Sequence, residues 1–223
     1  MQSGSRVRGS CKIMAYNGGL HVRMEIHMDN TVGSLTKHER SVIIGSLLGD
    51  GYMRIIPGRS DAFLEINHSI KARDYVDSKY SSLRRICTSP PKERSSGIEG
   101  RRAYRFFTNQ MGELTRLYLR FYKNGEKVIP TDLKLDPLML AIWYMDDGSQ
   151  SRASDIYLNT QQFSLLNQKR LLHQLRELEI SARLNKDKKY YRIRILKESI
   201  PHFMKVIKKH IVPSMRYKLV MTP

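Results

Sequence analysis

Two aspartates, Asp50 and Asp147, occupy matching places in the chain, each directly before a glycine that follows a largely apolar run. The runs cover residues 42–48 and 138–145, and they predict helices that are buried on most sides. Two carboxylates at the C-terminal ends of adjacent helices repel each other and gain nothing from the helix dipoles. A divalent cation offsets that repulsion, because carboxylate and carbonyl oxygens are hard ligands. The arrangement predicts a Mg²⁺ or Mn²⁺ site at Asp50 and Asp147.

The helices that precede these aspartates also have recognisable starts. Thr36 with Glu39 three residues later is a capping-box pattern, and Asp136 followed by Pro137 is typical of a helix N-terminus. A single Asp-Gly pair has a simpler explanation, since it commonly ends a helix in a turn. Its recurrence after a second buried helix favours metal binding over a turn alone.

The elements that follow each aspartate recur in the same order, which indicates an internal duplication. Periodicity in the first half predicts strands and helices at residues 62–67, 71–86, near 92, 102–108 and 111–122. In the second half the same order is predicted at residues 155–161, 164–178, 182–186, 190–196 and 200–210. Asp147 follows Asp50 by 97 residues (147 − 50), and each copy contains helix, two strands, helix, two strands and helix.

We therefore predict a mixed α/β fold of the α+β class, with two pseudo-symmetric αββαββα repeats. The repeats are assigned to residues 36–135 and 136–223, after an N-terminal extension at residues 1–35. The two apolar helices should pack against each other, because Gly45 and Gly49 lie one turn apart and allow close approach of the backbones. This packing would bring Asp50 and Asp147 together below two twisted sheets.

The charge of the chain indicates a polyanionic partner. The 223 residues include 39 Lys and Arg against 21 Asp and Glu, a net charge of +18, while 40% are hydrophobic, enough for a core. The excess is +2 over residues 1–36, +7 over 37–139 and +9 over 140–223, so a broad surface is favoured over a basic tail. No apolar run is long enough for a membrane span. Two cysteines without metal spacing favour a reducing compartment.

Basic residues on the predicted strands are the candidates for binding a nucleic acid. Alternation at the end of the second copy places Arg192 and Arg194 on one strand face, and Arg105 lies opposite Tyr104 and Phe106 in the first copy. Arginine in the major groove can read guanine, and other basic side chains can bind phosphates. A solvated strand face is the alternative for any single residue. The remaining candidates are Arg54, Arg59, Lys92, Arg94, Arg101, Arg152, Arg183, Lys186 and Lys188.

The sequences IIGSLLGDG at residues 43–51 and LAIWYMDDG at 140–148 resemble the two motifs of single-chain, intron-encoded LAGLIDADG homing endonucleases. The resemblance covers residues 36–220 and includes LNTQ at 158–161, KVIP at 127–130 and MRYKL at 215–219. Ile142 departs from it, because many members keep a small residue there, which bears on how tightly the helices pack. The resemblance implies a homing endonuclease fold and metal-dependent cleavage of both strands of a long DNA site, which promotes mobility of a group I intron.

The resemblance also implies roles for individual residues. The last acid of each motif, Asp50 and Asp147, would bind the metals, and each site would cut one strand. The preceding positions, Gly49 and Asp146, would contribute backbone carbonyls, with the Asp146 carboxylate capping or packing instead. Lys127 and Lys218 would order water near the metals, and a solvated surface lysine is the alternative for each. Gln161 and Asn185 are candidates for polar support of the site, and ordinary strand hydrogen bonding is the alternative for both.

An alternative from another class is an RNA maturase that binds intron RNA and assists splicing, since a basic surface suits both partners. A regulator built on an inactive copy of the fold is disfavoured by the two retained acids. We expect a monomer in which both repeats lie on one chain, located inside a cell, in a bacterial cytoplasm or in an organelle. Met28, shortly before the first helix, is an alternative start.

Overall fold

The computed structural model describes residues 34–95, 100–151 and 155–219. The N-terminal residues through 33, with Met28, and the candidate Arg152 lie outside the described residues. Within them, the helix and strand order of the duplication is confirmed. None of the described helices combines the length and apolar character that crossing a membrane requires. The boundary between residues 135 and 136 stays a prediction.

The described part of repeat 1, residues 36–95 and 100–135, contains three α-helices, four strands in one sheet and a short hairpin. Its elements in chain order are α1 (Lys37–Leu48), β1 (Tyr52–Ile55), β2 (Ala62–Ser69), α2 (Arg73–Leu83), β3 (Lys92–Ser95), β4 (Arg102–Phe107), α3 (Gly112–Phe121), β5 (Tyr122–Lys123) and β6 (Glu126–Lys127). Two single 3₁₀ turns, Ile70–Ala72 and Arg84–Ile86, flank α2.

The described part of repeat 2, residues 136–151 and 155–219, has the same order of elements and shows no counterpart of the hairpin. Its elements are α4 (Pro137–Asp147), β7 (Gly148–Gln150), β8 (Ile156–Leu158), α5 (Leu165–Glu177), β9 (Ala182–Asp187), β10 (Tyr190–Ile195) and α6 (Ile200–Lys208). The 3₁₀ segments Lys197–Ser199 and Pro213–Leu219 stand before and after α6.

Both sheets are antiparallel and share one topology. The strand order is β1-β2-β4-β3 in repeat 1 and β7-β8-β10-β9 in repeat 2. One face of each sheet packs on helices, as shown by the fully buried Leu64 and Ile66 on β2 and Ile193 and Ile195 on β10. The opposite face of each sheet, which we call its outer face, carries mostly exposed and half-buried positions, with the buried rings of Phe63 and Tyr157 among them. The predicted pair of pseudo-symmetric αββαββα units is confirmed.

The helices α1 and α4 form the centre of the molecule and pack directly against each other. Thr36 caps α1 in a complete capping box with Glu39, and the Asp136 carboxylate accepts from the backbone N–H of Met139 at the start of α4. A Cβ built on Gly45 would lie 2.9 Å from Ile142 Cβ, so the missing side chain of Gly45 makes the room that Ile142 fills. The close approach expected at Gly45 is confirmed, and the bulk of Ile142 does not loosen it.

Several element boundaries differ from the sequence expectations. The helix expected at 71–86 is α-helical only over Arg73–Leu83, with 3₁₀ turns at both ends, and the strand expected at 155–161 pairs only over Ile156–Leu158. Strands β1 and β7 begin within two residues of the motif aspartates, where the sequence pattern predicts no separate strand. Strands this short carry too little alternation to be recognised, and pairing with β2 and β8 defines them.

Candidate active site

The ends of α1 and α4 bring the two motif aspartates together. Asp147 is the last residue of α4, and burial, followed by the carboxylates of Asp50 and Asp146, raises its pKa to about 7. Asp50 lies two residues beyond α1, and its side chain is 48% exposed. Asp50 lines an open cleft of about 510 Å³ together with Tyr52, Lys127 and Gln162. Asp50 and Asp147 therefore repel each other, which is the interaction that the sequence predicted for a cation site.

The carboxylate of Asp146 is fully buried and bound on both oxygens. Lys79 Nζ donates to Oδ1 over 2.8 Å and to Oδ2 over 2.9 Å, and the Tyr75 hydroxyl donates to Oδ1 over 2.7 Å. The backbone N–H of Asp50 also donates to Oδ2, over 3.3 Å. The expectation that this side chain packs rather than reaching outward agrees with these contacts.

The two motif lysines lie at the same helix ends, although one belongs to a strand and the other to a 3₁₀ segment. Lys127, on β6, donates from Nζ to the carbonyl of Gly49 over 2.9 Å, after a turn in which Asn124 (φ 51°) and Gly125 (φ 80°) are left-handed. Lys218, in the last 3₁₀ segment, donates to the carbonyls of Met145 (2.6 Å), Gly148 (2.9 Å) and Tyr144 (3.3 Å).

Burial shifts both lysines toward the neutral form. It lowers the pKa of Lys127 to about 8, against the opposing effect of the aspartates, and it lowers the pKa of Lys218 in the same direction. Each ammonium therefore stands partly desolvated beside the acids, where a positive charge acts strongly on a nearby anion.

Two supporting polar residues are placed differently from the expectation. Gln161 Nε2 donates to Asp187 over 3.2 Å, whereas its neighbour Gln162 donates to Asp147 Oδ2 over 3.3 Å. Both residues lie in the turn after β8, where the strand alternation no longer tells which side chain points to the acids. Asn185 lies on β9 opposite Arg192 and donates to the carbonyl of Lys186, so it belongs to the sheet.

His68 is a member of the site that sequence spacing did not indicate. Its Nδ1 lies 3.6 Å from Asp50 Oδ2, and its Nε2 lies 3.7 Å from Asp146 Oδ1. Burial and then the Lys79 charge lower the pKa of His68, which favours the neutral ring. Asp50, His68 and Asp146 present ligand atoms within 4.8 Å of one another, a donor set that suits a metal ion. The only sequence signal was that His68 follows the core-facing positions of β2.

Comparison with known proteins places this geometry in a family. A family model described as the LAGLIDADG DNA endonuclease family matches residues 40–203 of the 223. The chain belongs to this family. The family assignment agrees with the two motifs, the paired central helices and the acids at their ends, and it identifies the chain as a site-specific DNA endonuclease.

Relatives of this LAGLIDADG protein include a maturase and an endonuclease. The cytochrome b mRNA maturase bI2 of Debaryomyces hansenii is 31% identical over 196 residues, which are 83% of this chain and 74% of that protein. A probable intron-encoded endonuclease of Wickerhamomyces canadensis is 27% identical over 202 residues, 84% of this chain and 86% of that protein. The homing endonuclease I-WcaI bound to its DNA recognition sequence matches in fold, with a TM-score of 0.77 and 24% identity, over 85% of this chain and 89% of that one.

The outer faces of the two sheets carry most of the basic residues expected to bind DNA in this LAGLIDADG protein. In repeat 1, Arg105 stands opposite Lys92, with Arg94 and Arg54 on the same face. In repeat 2, Arg194 stands opposite Arg183, and Arg192 lies two residues earlier on the same face. Three further candidates lie at strand ends or turns, namely Arg59 after β1, Arg101 before β4 and Lys188 between β9 and β10.

Lys186 is the exception among the strand candidates. It stands opposite Tyr191, one position out of phase with Arg192 and Arg194, so it lies on the face opposite to theirs. One step along a strand reverses the direction of the side chain, so Lys186 points away from the outer face that these arginines share.

Side chains on the outer faces are held by their neighbours. Arg54 and Arg105 both pair with Glu65, at 3.4 Å each, and the Arg192 guanidinium lies 3.9 Å from the centroid of the Tyr157 ring. Arg194 pairs with Asp155. Carboxylates and rings that restrict these arginines lower the conformational entropy lost when a ligand is bound.

Proposed function

We propose that this chain is a homing endonuclease that hydrolyses both strands of a long DNA target with divalent metal, Mg²⁺ or Mn²⁺. The observation that carries the proposal is the convergence of Asp50 and Asp147 at the ends of α1 and α4, with Lys127 and Lys218 at the same ends. The acids come from different repeats, so a single chain supplies both halves of the site. We therefore propose that the protein acts as a monomer.

The residues present fit a divalent cation. Asp147 has a raised pKa because burial and then the carboxylates of Asp50 and Asp146 oppose its charge, and a bound cation relieves that opposition. Asp50 and Asp147 would hold the metal, with the carbonyls of Gly49 and Asp146. When bound, such a cation lowers the pKa of water and offsets charge on the scissile phosphate.

The side chains around the acids have separate tasks in this proposal. Asp50 is exposed to the cleft, so a cation that it held would be accessible to a phosphate of the DNA backbone, whereas Asp147 is oriented by the Gln162 amide. The ammoniums of Lys127 and Lys218 are fixed on backbone carbonyls, so they add positive charge beside the phosphate at little cost in reorganisation.

Recognition of the target is assigned to the two outer faces. Arginines on antiparallel strands can enter the major groove and read guanine, while the other basic residues bind phosphates. Two pseudo-symmetric sheets on either side of the acids would contact one half-site each. Mobility of a group I intron, and a location in an organelle or a bacterial cytoplasm, stay predictions.

The test is cleavage of a plasmid library that carries randomised or candidate insertion-site DNA, with Mg²⁺ or with EDTA, followed by sequencing of the ends. We expect linear product that requires Mg²⁺ and is absent for Asp50→Asn and Asp147→Asn. Asp132→Asn, at an exposed acid that pairs with Arg120, is the matched control and should cleave like the parent. Cleavage by Asp50→Asn or Asp147→Asn at the parental rate would contradict the assignment of the site.

A second candidate function is that of an RNA maturase, favoured by the 31% identity to the bI2 maturase of Debaryomyces hansenii. The discriminating measurement uses two substrates, the intronless allele of the interrupted gene and the intron RNA. Cleavage of the allele supports the endonuclease. Tight binding to the RNA without cleavage of the allele supports the maturase.

A further inference from the structure

The two repeats differ at one position beside the acids. Repeat 1 has Gly49 before Asp50, and repeat 2 has Asp146 before Asp147. A Cβ built on Gly49 would lie 2.4 Å from Asp146 Cβ, a distance that two carbon atoms do not adopt without a shift. The space between the helix ends therefore holds one side chain, and in this protein it holds the Asp146 carboxylate.

A third carboxylate at this place requires compensation. It lies next to Asp50 and Asp147, and its side chain is 0% exposed. An uncompensated buried charge is strongly destabilising, whereas a paired and hydrogen-bonded one is tolerated. The compensation comes from repeat 1, where Lys79 on α2 is 3% exposed and donates to both Asp146 oxygens.

The sequence around Lys79 shows that the pair is specific to one side of the molecule. The four buried residues of α2, at positions 75, 76, 79 and 83, have buried counterparts on α5 at 167, 168, 171 and 175. The counterpart of Lys79 is Leu171 (171 − 79 = 92), which is 0% exposed. Repeat 1 therefore has Gly49 and Lys79, whereas repeat 2 has Asp146 and Leu171, so the buried lysine and the buried aspartate come from different repeats.

The pair also occupies a place where a metal could otherwise bind. Asp50, His68 and Asp146 form a donor set within 4.8 Å, but both Asp146 oxygens are bound by Lys79. Tyr75, one turn before Lys79, donates to Asp146 as well, and the Lys79 ammonium lies 4.6 Å from the Tyr75 ring centroid. A fixed ammonium thus provides the positive charge of this cluster, and it leaves Asp50 available on its exposed side.

We propose that the Lys79–Asp146 ion pair is a positioning element of the nuclease, in which Lys79 neutralises Asp146 and Asp146 holds the backbone N–H of Asp50. The ion pair is linked to the reacting groups by the hydrogen bond that the backbone N–H of Asp50 donates to Asp146 Oδ2 over 3.3 Å. Lys79 is therefore a positioning residue that acts on the metal-binding acid through Asp146. The inference rests on the proposed endonuclease function.

The test is a double-mutant cycle with the neutral variants Lys79→Met and Asp146→Asn, singly and together, on the full chain and the target DNA found above. We expect each single variant to cleave at least about tenfold more slowly under single-turnover conditions, because each leaves a buried charge unpaired. Affinity for the target in Ca²⁺ should change less than about threefold, since neither residue lies on an outer face. The double variant should recover to within about threefold of the parent. Lys205→Met, at an exposed lysine on α6, is the matched control.

The Mg²⁺ dependence provides a readout that a purely structural role would not produce. Lys79→Met adds a net negative charge beside the acids, so the Mg²⁺ concentration for half-maximal rate should fall, whereas in Asp146→Asn it should rise. Shifts in the same direction would overturn the proposal, and so would a double variant no faster than either single one. Absence of Mg²⁺-dependent cleavage by the parent would instead contradict the endonuclease function, which keeps the two failures distinct.

Discussion

The halves of the active site are alike in their acids and unlike in nearly everything that holds those acids. In repeat 1, Asp50 stands two residues past the end of its helix and is half exposed, while Asp147 in repeat 2 ends its helix and is more enclosed. One lysine binds a single carbonyl and the other binds three. A duplicated fold can therefore keep its chemical groups while their surroundings diverge, provided that each change is matched across the interface.

The two lysines should show the largest difference in this comparison. Lys127→Met should lower the single-turnover cleavage rate about 100-fold, the cost of removing one charge-stabilising donor. Its free energy of unfolding should not fall at pH 7, because burial lowers the pKa of Lys127 to about 8. A lowered lysine pKa means that the charged form is disfavoured by folding, a cost present below pH 8 and absent above the ordinary pKa of 10.5.

Lys218→Met should instead lower both the cleavage rate and the stability. Loss of its ammonium leaves three carbonyls, those of Tyr144, Met145 and Gly148, without this donor. We expect this loss to outweigh the burial cost that lowers the pKa of Lys218, and to reduce the free energy of unfolding by about 2 kcal/mol. Urea unfolding of both lysine variants measures the difference. Equal free energies of unfolding for Lys127→Met and Lys218→Met would contradict the predicted difference between the two lysines.

Gly49→Ala tests whether the space between the helix ends holds only one side chain. The added methyl would meet Asp146 Cβ at 2.4 Å, so α1 and α4 must move apart, at a cost of about 2 kcal/mol. Thermal unfolding measures this loss of stability. Gly112→Ala is the matched control, because its Cβ would only reach ordinary contact, 3.8 Å from Asp61 Oδ1. A Gly49→Ala protein as stable as the control would show that the space is larger than inferred.

The pH dependence of stability in EDTA should distinguish the two acids. Folding raises the pKa of Asp147 from 3.8 to about 7, so ionisation opposes folding, and the penalty develops between those pH values. Asp147→Asn should therefore stabilise the metal-free protein by about 2 kcal/mol at pH 8 and by almost nothing at pH 4. Asp50→Asn, at the more exposed acid, should stabilise the metal-free protein by a smaller amount. Urea titrations at both pH values measure this, and a gain that is independent of pH would contradict it.

The smallest effects are expected on the sheets. Arg105→Ala and Arg192→Ala, on the two outer faces, should each reduce the slope of log affinity against log salt concentration by about one. Lys186→Ala should leave the slope unchanged, because Lys186 faces away from Arg192 and Arg194. Fluorescence anisotropy with the cognate target over a salt series measures the slopes. A change for Lys186→Ala equal to that for Arg192→Ala would place DNA on both sides of β9.

The sequence by itself determined the two buried helices, their capped starts, the duplication and the pairing of Asp50 with Asp147. Each of these depends on local pattern, since apolar periodicity, capping residues and Asp-Gly ends are readable within a few residues. The outer-face positions of Arg105, Arg192 and Arg194 followed from alternation in the same way. The N-terminal boundary of each motif helix was also predicted to the residue.

Only the tertiary structure decided which groups surround the acids. Lys79 and His68 lie 67 and 78 residues before Asp146, in the other repeat, and an apolar helix face gives no sign that one of its positions is a buried lysine paired across the repeat interface. Gln162 took the place expected for Gln161 because a turn, unlike a strand, has no period that orients neighbouring side chains. Charge compensation between distant residues depends on burial and on distances of about 3 Å, which exist only after the two repeats have packed.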